Sequence, residues 1–154
     1  YLNGMLSMNE DDYKRALNGD KNLRGADLSR AKLEGHDLYK ADLRWADLRG
    51  AKLTRTDLSE AHLQGAELYV ADLIDANLRD ADLTDANLTD ANLKGAVLYK
   101  ANFKNAVLYK VNLRGADLAN ANLTRANLRG ADLANANLKD TNLRDADLTD
   151  AKGL

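Results

Sequence analysis

The 154-residue sequence contains no cysteine and no proline, and it has only one tryptophan, one phenylalanine and two histidines. Without cysteine there is no disulfide framework, and the redox compartment stays open. No apolar run is long enough to cross a membrane, so no such segment is predicted. Zinc sites are built from cysteine and histidine clusters, and phosphate sites from glycine-rich loops. Neither pattern is present, so we predict no metal and no cofactor.

The sequence does contain a five-residue phrase, which is repeated 26 times without interruption between residues 21 and 150. If the central position is called i, leucine fills i from Leu23 to Leu148, and Phe103 is the one replacement. Alanine fills i−2 in 21 phrases, and aspartate or asparagine fills i−1 in 20 phrases, ten of each. The exceptions at i−2 are Lys21, His36, Thr56, Val111 and Thr141.

A period of five fits neither a helix nor a straight strand. On an α-helix the leucines would spread around the cylinder, and on a straight strand they would alternate between the two faces. Within one phrase, however, positions i−2 and i are two apart, so both side chains point to the same side of an extended segment. The rest of the phrase is enough to turn a corner. The phrase therefore predicts an all-β solenoid with alanine and leucine inside.

The charges at position i+2 predict the number of sides in one coil, because like charges in stacked coils repel. At a separation of four phrases there are five opposite pairs and one like pair. At a separation of three phrases there are two opposite pairs and four like pairs. At a separation of five phrases there are four opposite pairs and three like pairs. Four phrases per coil is therefore the prediction. The five opposite pairs are Lys40/Glu60, Arg55/Asp75, Asp80/Lys100, Asp90/Lys110 and Arg125/Asp145.

The phrase Ala-(Asp/Asn)-Leu-X-X resembles the repeat of the pentapeptide-repeat family, and the resemblance covers residues 21–150. It implies a right-handed quadrilateral β-helix with four pentapeptides per coil. The predicted β-helix domain, residues 21–154, then has about six and a half coils and is roughly 31 Å long at ~4.8 Å per coil. The family is abundant in cyanobacteria, with members linked to cell differentiation or the thylakoid lumen. The resemblance therefore implies a cyanobacterial type of member and assigns no role.

Residues 1–20 lack the phrase and predict a short N-terminal α-helical cap that covers the open edge of the first coil. The spacing of Ser7 and Glu10 suits a capping box, and Gly19 suits the position after the last helical turn. Acidic residues near the start and basic residues near the end agree with the helix dipole. The predicted buried face comprises Tyr13, Ala16 and Leu17, and Leu2, Met5 and Leu6 repeat that spacing in an earlier turn.

No catalytic residue is predicted, because the aspartates at i−1 belong to the phrase and do not form a tuned pair. His36 occupies an inward position, and we expect Thr56, one predicted coil later, to supply its hydrogen bond. His62 lies outward on another side, so the two histidines do not form a site. Trp45 is expected to be outward and isolated, whereas Phe103 is expected in the core.

One face is predicted to carry an exposed apolar surface suited to a protein partner. Tyr109 shares this face with Tyr69 two coils away, and tyrosine is common at interfaces. Packing of the tyrosine edges along their own side is the alternative interpretation. We call this surface the Tyr–Val stripe: Tyr69, Val70, Thr89, Val107 and Tyr109.

The C-terminal end of the solenoid offers a second candidate surface. After Leu148 the phrase decays into Ala151-Lys152-Gly153-Leu154, which does not cap the last coil. Either further residues or a partner would cover that end, and a tail-to-tail homodimer would do so. The candidate dimer end comprises Leu138, Leu143 and Leu148.

Charge argues against the nucleic-acid functions. The net charge is −2, and residues 21–154 contain 20 basic and 20 acidic side chains. Direct nucleic-acid binding needs a sustained basic face, and DNA mimicry, by which the family's quinolone-resistance members bind DNA gyrase, needs an acidic one. The expected function is thus a non-enzymatic scaffold for an unidentified protein partner. The alternatives are a DNA-mimicking gyrase-interacting protein and a structural or self-assembling module.

The expected location is the cytoplasm, because no signal peptide is visible. The chain begins at Tyr1. A targeting sequence removed upstream of that residue would instead place the protein in the thylakoid lumen or the periplasm.

Overall fold

The structure is a computed structural model that describes residues 8–154. One α-helix, α1 (Glu10–Leu17), precedes a repeating backbone in which position i−1 of each phrase forms a single-residue parallel β-bridge. Every bridge joins positions four phrases apart, from Asn22–Asp42 to Asp132–Lys152. Four phrases per coil is therefore confirmed. No longer strand occurs in this part of the chain.

The bridges stack the phrases into four columns, which we call faces 1 to 4. Faces 1, 2, 3 and 4 begin with the phrases of Leu23, Leu28, Leu33 and Leu38, respectively, and each continues at every fourth phrase. Neighbouring coils are also joined by backbone hydrogen bonds, for example from the Leu43 amide to the His62 carbonyl at 2.7 Å. Positions four phrases apart therefore share a face and lie one coil apart.

A β-turn closes each corner of the coil. The amide of the next phrase donates to the carbonyl at position i, as from Ala46 to Leu43 at 3.0 Å. Every i+2 position from Gly25 to Asp150 has a positive φ, which is the requirement of a type II turn at its third residue. Glycine meets this requirement without steric cost, and it fills seven of these positions. The other 19 corners hold non-glycine residues in a left-handed conformation.

The core is built from the alanines and leucines that the phrase points inward. Leucines at i are at most 1% exposed from Leu23 to Leu133. Phe103 is fully buried in the same column as Leu83 and Leu123, as expected from the sequence. Full burial of one leucine contributes about 1.5–3 kcal/mol, so the interior stabilises the coils alike from Leu23 to Leu133.

The structure explains why aspartate or asparagine follows the alanine. In 19 of the 20 phrases with Asp or Asn at i−1, the side-chain oxygen accepts a hydrogen bond from the backbone N–H at i+1. For Asn92 this bond runs to the Lys94 amide at 3.1 Å. It satisfies an N–H that has no ladder partner, as in an Asx turn. The pattern was evident in the sequence, but this cause was not.

Helix α1 begins two residues later than the capping-box spacing suggested. Its N-cap is Asn9, whose side-chain oxygen accepts from the Asp12 amide at 3.1 Å. The predicted box starting at Ser7 is therefore wrong, because the helix starts at Glu10. Ser7, Leu2, Met5 and Leu6 lie outside the described residues.

The C-terminal end of α1 matches the prediction, whereas its buried face matches only in part. The helix ends in a Schellman motif, with Gly19 (φ 82°) bonded to the Ala16 carbonyl and Asp20 to the Arg15 carbonyl. On the predicted buried face, Ala16 is buried and Tyr13 is half-buried, but Leu17 is 40% exposed.

Helix α1 and its flanking residues satisfy the backbone edge of the first coil. The Asn9 amide donates to the Asp27 carbonyl (3.1 Å), and the Tyr13 hydroxyl donates to the Lys32 carbonyl (3.1 Å). The carbonyls of Asn22 and Asp37 accept from the side chains of Arg15 and Lys21. One carbonyl on each of the four faces is thus paired where no earlier coil exists. The three contacts made by Asn9, Tyr13 and Arg15 support the proposal that residues 1–20 form a cap.

The expected hydrogen bond between His36 and Thr56 is not formed. Thr56 is fully buried, and its hydroxyl donates to the Leu33 carbonyl at 2.8 Å. His36 is only half-buried, and its Nδ1 lies 3.2 Å from the Glu34 carbonyl. The expectation was wrong because a hydroxyl at i−2 reaches the turn carbonyl of the preceding coil. Thr141 makes the same bond to the Leu118 carbonyl at 2.7 Å.

Candidate protein-interaction surface

The Tyr–Val stripe lies on face 2 and the corner that follows it. The bridges Glu67–Asn87 and Asn87–Val107 stack three successive phrases of this face. Tyr69 is 44% exposed, Val70 48% and Tyr109 37%, whereas Val107 and Thr89 are half-buried. The Thr89 hydroxyl donates to Asn87 at 2.7 Å and turns its polar group toward its own coil. The structure therefore places the five residues on adjoining surface.

Both tyrosines of the stripe lie in phrases that lack aspartate or asparagine at i−1. Glu67 and Val107 replace aspartate or asparagine at i−1, and the amides of Tyr69 and Tyr109 have no acceptor among residues 8–154. A hydrogen bond of this kind contributes about 0.5–1.5 kcal/mol. The stripe is thus formed where the repeat gives up a stabilising interaction.

The tyrosines at i+1 differ in what lies over their rings. In Tyr39, Tyr99 and Tyr109 the following lysine ammonium lies 5.2–5.4 Å from the ring centroid, within the range of a cation–π contact. Val70 follows Tyr69, so this ring has no such neighbouring lysine. Among these four tyrosines, Tyr69 is therefore the one without a cation over its ring in the described chain.

The charges at i+2 pair less often than the sequence suggested. Of the five opposite pairs, only Lys40–Glu60 lies within ion-pair distance in the described chain, at 3.7 Å. Lys100 and Lys110 lie over their neighbouring tyrosines instead. The separation of four phrases was correct, but direct ion pairing is not what most of these charges do.

Hydrogen bonds within a phrase lower the pKa of several surface carboxyls. The Arg44 guanidinium donates to Asp42 at 2.7 and 2.9 Å and, with the Arg44 amide, lowers the pKa of Asp42 to about 2. Arg49 makes the same fork to Asp47 and likewise lowers its pKa. These carboxylates are ionised at neutral pH and act as acceptors in the turn.

The candidate dimer end is intermediate in burial. Leu138, Leu143 and Leu148 are half-buried and pack against the core from one side. Their amides have no acceptor among the described residues. Beyond Leu148 the coil continues onto face 3, where the Lys152 amide donates to the Ala131 carbonyl at 2.9 Å.

Trp45 is exposed (61%) but not isolated, which corrects the sequence-based expectation. Its ring lies over Gly65 in the next coil, so that a Cβ at Gly65 would come within 2.1 Å of a ring carbon. A glycine at i+2 thus accommodates a large side chain from the coil before it. The four-sided register and the identity of these two residues would have revealed the contact.

A groove at the corner between faces 2 and 3 was not predicted. It has a volume of about 200 Å³ and is formed by the i+1 and i+2 residues of three successive coils. We call it the corner groove; it is lined by Ser29, Arg30, Arg49, Gly50, Tyr69 and Val70. It joins one end of the Tyr–Val stripe. The signal that would have revealed it is Gly50 stacked between two larger residues.

Residues 8–154 show neither a metal site nor a membrane-spanning helix. No group of three or more histidine, cysteine or acidic residues is arranged there to hold a metal ion. No helix in that range is long and apolar enough to span a bilayer.

A four-sided coil of five-residue phrases, with an apolar interior and turn-forming Asx residues, defines a β-solenoid repeat protein. The family model described as pentapeptide repeats matches eight copies, which together extend over residues 20–150. The chain therefore belongs to the pentapeptide-repeat family, and the resemblance is confirmed. The family's fold is a right-handed quadrilateral β-helix, and its members are generally structural or interaction modules.

Solved structures of the same family are similar to this chain. Rfr23 from the cyanobacterium Cyanothece 51142 is 38% identical over 62% of this chain and 58% of its own length, with a TM-score of 0.35. HetL from Nostoc sp. strain PCC 7120, a protein involved in heterocyst differentiation regulation, is 38% identical over 85% of this chain and 75% of its own, with a TM-score of 0.27. QnrB1, a plasmid-mediated fluoroquinolone resistance protein, is 22% identical over 79% and 78%, with a TM-score of 0.33. No curated protein matches.

Proposed function

We propose that this chain is a non-enzymatic, right-handed quadrilateral scaffold that binds a protein partner through the Tyr–Val stripe on face 2. The observation that carries the proposal is the exposure of Tyr69, Val70 and Tyr109 on one side of the rod. Tyrosine and apolar residues are enriched at the core of protein interfaces. Membership of a family of interaction modules agrees with this function.

The local cost of the stripe supports the same proposal. Val70 is the one β-branched residue among the 19 non-glycine residues with positive φ in the described chain, at φ 51°. A left-handed conformation costs roughly 1–2 kcal/mol, and more for a β-branched side chain. Val107 forgoes the Asx hydrogen bond. Both residues make the surface more apolar while they reduce stability, which is the pattern expected at a functional surface.

Affinity capture with matched variants tests the stripe. The full chain and its Tyr69→Ala/Tyr109→Ala variant are used as bait in a lysate of the organism that encodes it. The control variant, Tyr39→Ala/Tyr99→Ala, removes two tyrosines from face 4 on the opposite side. We expect the first variant, and not the second, to lose the partner. Equal recovery with all three baits would exclude the stripe.

A second candidate function is self-assembly through the candidate dimer end. The half-buried apolar side chains of Leu138, Leu143 and Leu148 favour it, because a second copy of the chain would cover them. A tail-to-tail homodimer is the proposed form. Solution mass measured over a wide concentration range tests it, and a strict monomer would contradict it.

We also propose that the protein is located in the cytoplasm, which cell fractionation tests.

A further inference from the structure

The corner groove owes its shape to a glycine between larger residues. Gly50 lies at the middle coil, and Arg30 and Val70 occupy the same turn position one coil before and one coil after it. No side chain projects from Gly50, and the Arg30 Cγ lies 3.4 Å from where a Cβ would be. The result is a recess on an otherwise regular corner.

Most polar groups of the corner groove already have partners. The Arg49 guanidinium donates to Asp47 at 2.6 and 2.8 Å, and the Ser29 hydroxyl donates to Asp27 at 2.7 Å. These bonds leave the Tyr69 ring, the Val70 side chain and the arginine stems as the accessible lining. An apolar group could therefore enter the groove without breaking these hydrogen bonds.

Positive charge without a partner borders the groove on the face 3 side. Arg30 is exposed and forms no ion pair with any residue from 8 to 154. Lys32 and Lys52 follow the groove residues by two positions and face each other across a β-bridge. Both are exposed, and like charges placed opposite each other are destabilising. Asp72 continues this column without an ion pair to Lys52 in the described chain.

The groove is too small for most small-molecule ligands. Their pockets measure about 300–1,000 Å³, whereas this one measures about 200 Å³. That volume suits a single large side chain, and the basic border suits carboxylates beside it. The strained, half-exposed side chain of Val70 completes the apolar wall of the groove. Val70 is the one apolar side chain at i+2 on face 2, where the other phrases carry glycine, aspartate or a basic residue.

We infer that the corner groove binds a segment of a partner protein that presents one large apolar side chain flanked by acidic residues. The apolar side chain occupies the recess between Tyr69 and Arg30, and the carboxylates lie against Arg30, Lys32 and Lys52. This inference rests on the proposed function and assigns the chemistry of the partner. Like any surface ion pair, the acidic contacts weaken as salt is added.

Defined peptides test this inference with the full chain. The probes are decapeptides of glycine and serine with one phenylalanine, leucine or tryptophan followed by two aspartates. Matched peptides carry alanine in place of the apolar residue, or two lysines in place of the aspartates. Binding is measured by chemical-shift perturbation of the protein up to about 1 mM peptide. We expect binding of at least one apolar–acidic peptide, and not of its two matched forms.

Variants then locate the binding site. We expect Tyr69→Ala to weaken binding more than about fivefold, as at an interface anchor. Arg30→Ala should weaken it by about 1.5- to 5-fold at low salt, the range of an exposed ion pair. Val70→Gly should weaken it while relieving backbone strain, so lost binding there cannot be attributed to unfolding. Tyr39→Ala on face 4 is the control and should leave binding unchanged.

The outcomes separate this inference from the proposed function. If no apolar–acidic peptide binds better than its matched forms, the inference is wrong, and the affinity capture with the Tyr69/Tyr109 variant still decides the stripe. Peptide binding that is indifferent to Arg30→Ala and to the aspartate-to-lysine exchange would also overturn it. Because Tyr69 lies in both surfaces, unchanged partner capture by the stripe variant would exclude the stripe and the groove alike, even if a peptide bound with the expected variant profile.

Discussion

Gly65→Ala is expected to displace the only tryptophan of the protein and to reduce its stability. The added Cβ would lie 2.1–2.8 Å from three atoms of the Trp45 ring, far inside van der Waals contact. The ring is the end of a side chain on an exposed corner, so it can rotate away. Its contact with the next coil is then lost.

The magnitude follows from two contributions. An alanine at φ 68° incurs a left-handed cost of about 1–2 kcal/mol, and reduced freedom of the unfolded chain offsets about 0.4–1 kcal/mol of it. Trp45 is 61% exposed, so roughly 60–100 Å² of its surface is covered, which contributes about 1.5–2.5 kcal/mol. Gly65 covers only part of that surface. We therefore expect loss of the contact between the Trp45 ring and Gly65 to lower the free energy of unfolding by about 1 kcal/mol.

Gly115→Ala is the matched control, because its φ is 66° and no atom lies within 4 Å of the position that a Cβ would take. Both variants share the backbone cost, and the difference in their free energies of unfolding in urea isolates the ring contact. Emission from the single tryptophan should shift to the red in Gly65→Ala alone. Equal stabilities with unchanged emission would refute the reasoning.

Three further changes have definite expected outcomes. Val97→Asn should raise the free energy of unfolding by about 0.5–1.5 kcal/mol, because the new side chain can accept from the Tyr99 amide; an unchanged urea midpoint would contradict this. Thr56→Val should lower it by a similar amount through loss of the 2.8 Å bond to the Leu33 carbonyl, and the same measurement checks it. Asp42→Asn keeps the turn acceptor but removes the ion pair, and after solvent screening should cost up to about 1 kcal/mol at pH 7. Since the folded pKa of about 2 lies below the unfolded value near 3.8, this contribution is present above about pH 4 and lost as pH falls toward 2. The two proteins should therefore converge in stability at acidic pH, and a constant difference from pH 7 to pH 2 would exclude the ion pair as the cause.

The interior could be predicted from the sequence because it depends on one repeated relation. Alanine and leucine at i−2 and i must share a side, and a period of five must turn a corner, whatever the surface carries. Charge at i+2 then indicated four sides, although the structure forms only the Lys40–Glu60 pair among the five used. The count at i+2 was right because like charges are rarely stacked at that position, where Glu60/Asp80 is the single like pair, even though most opposite charges there do not touch.

The surface was less predictable because side-chain direction depends on neighbours one coil away. Trp45 was expected to be isolated, yet its ring extends over Gly65. Thr56 was assigned to His36, yet its hydroxyl bonds the Leu33 carbonyl. The corner groove likewise arises from three turns that belong to three different coils. Each of these features needs the register and the rotamer together, and the phrase specifies only the register.

The uniform interior has a consequence for changes in length. Apart from Phe103 and the five exceptions at i−2, all four faces present the same alanine and leucine pair to the core, so the inside barely distinguishes one face from another. Insertion of a single five-residue unit would leave every buried contact type intact but move all later surface residues to the adjacent side of the rod. Insertion of four such units would only lengthen it. Insertion of one, two or three units thus changes which outer side chains are neighbours. In a protein of this design, such insertions can create new surfaces without redesign of the core.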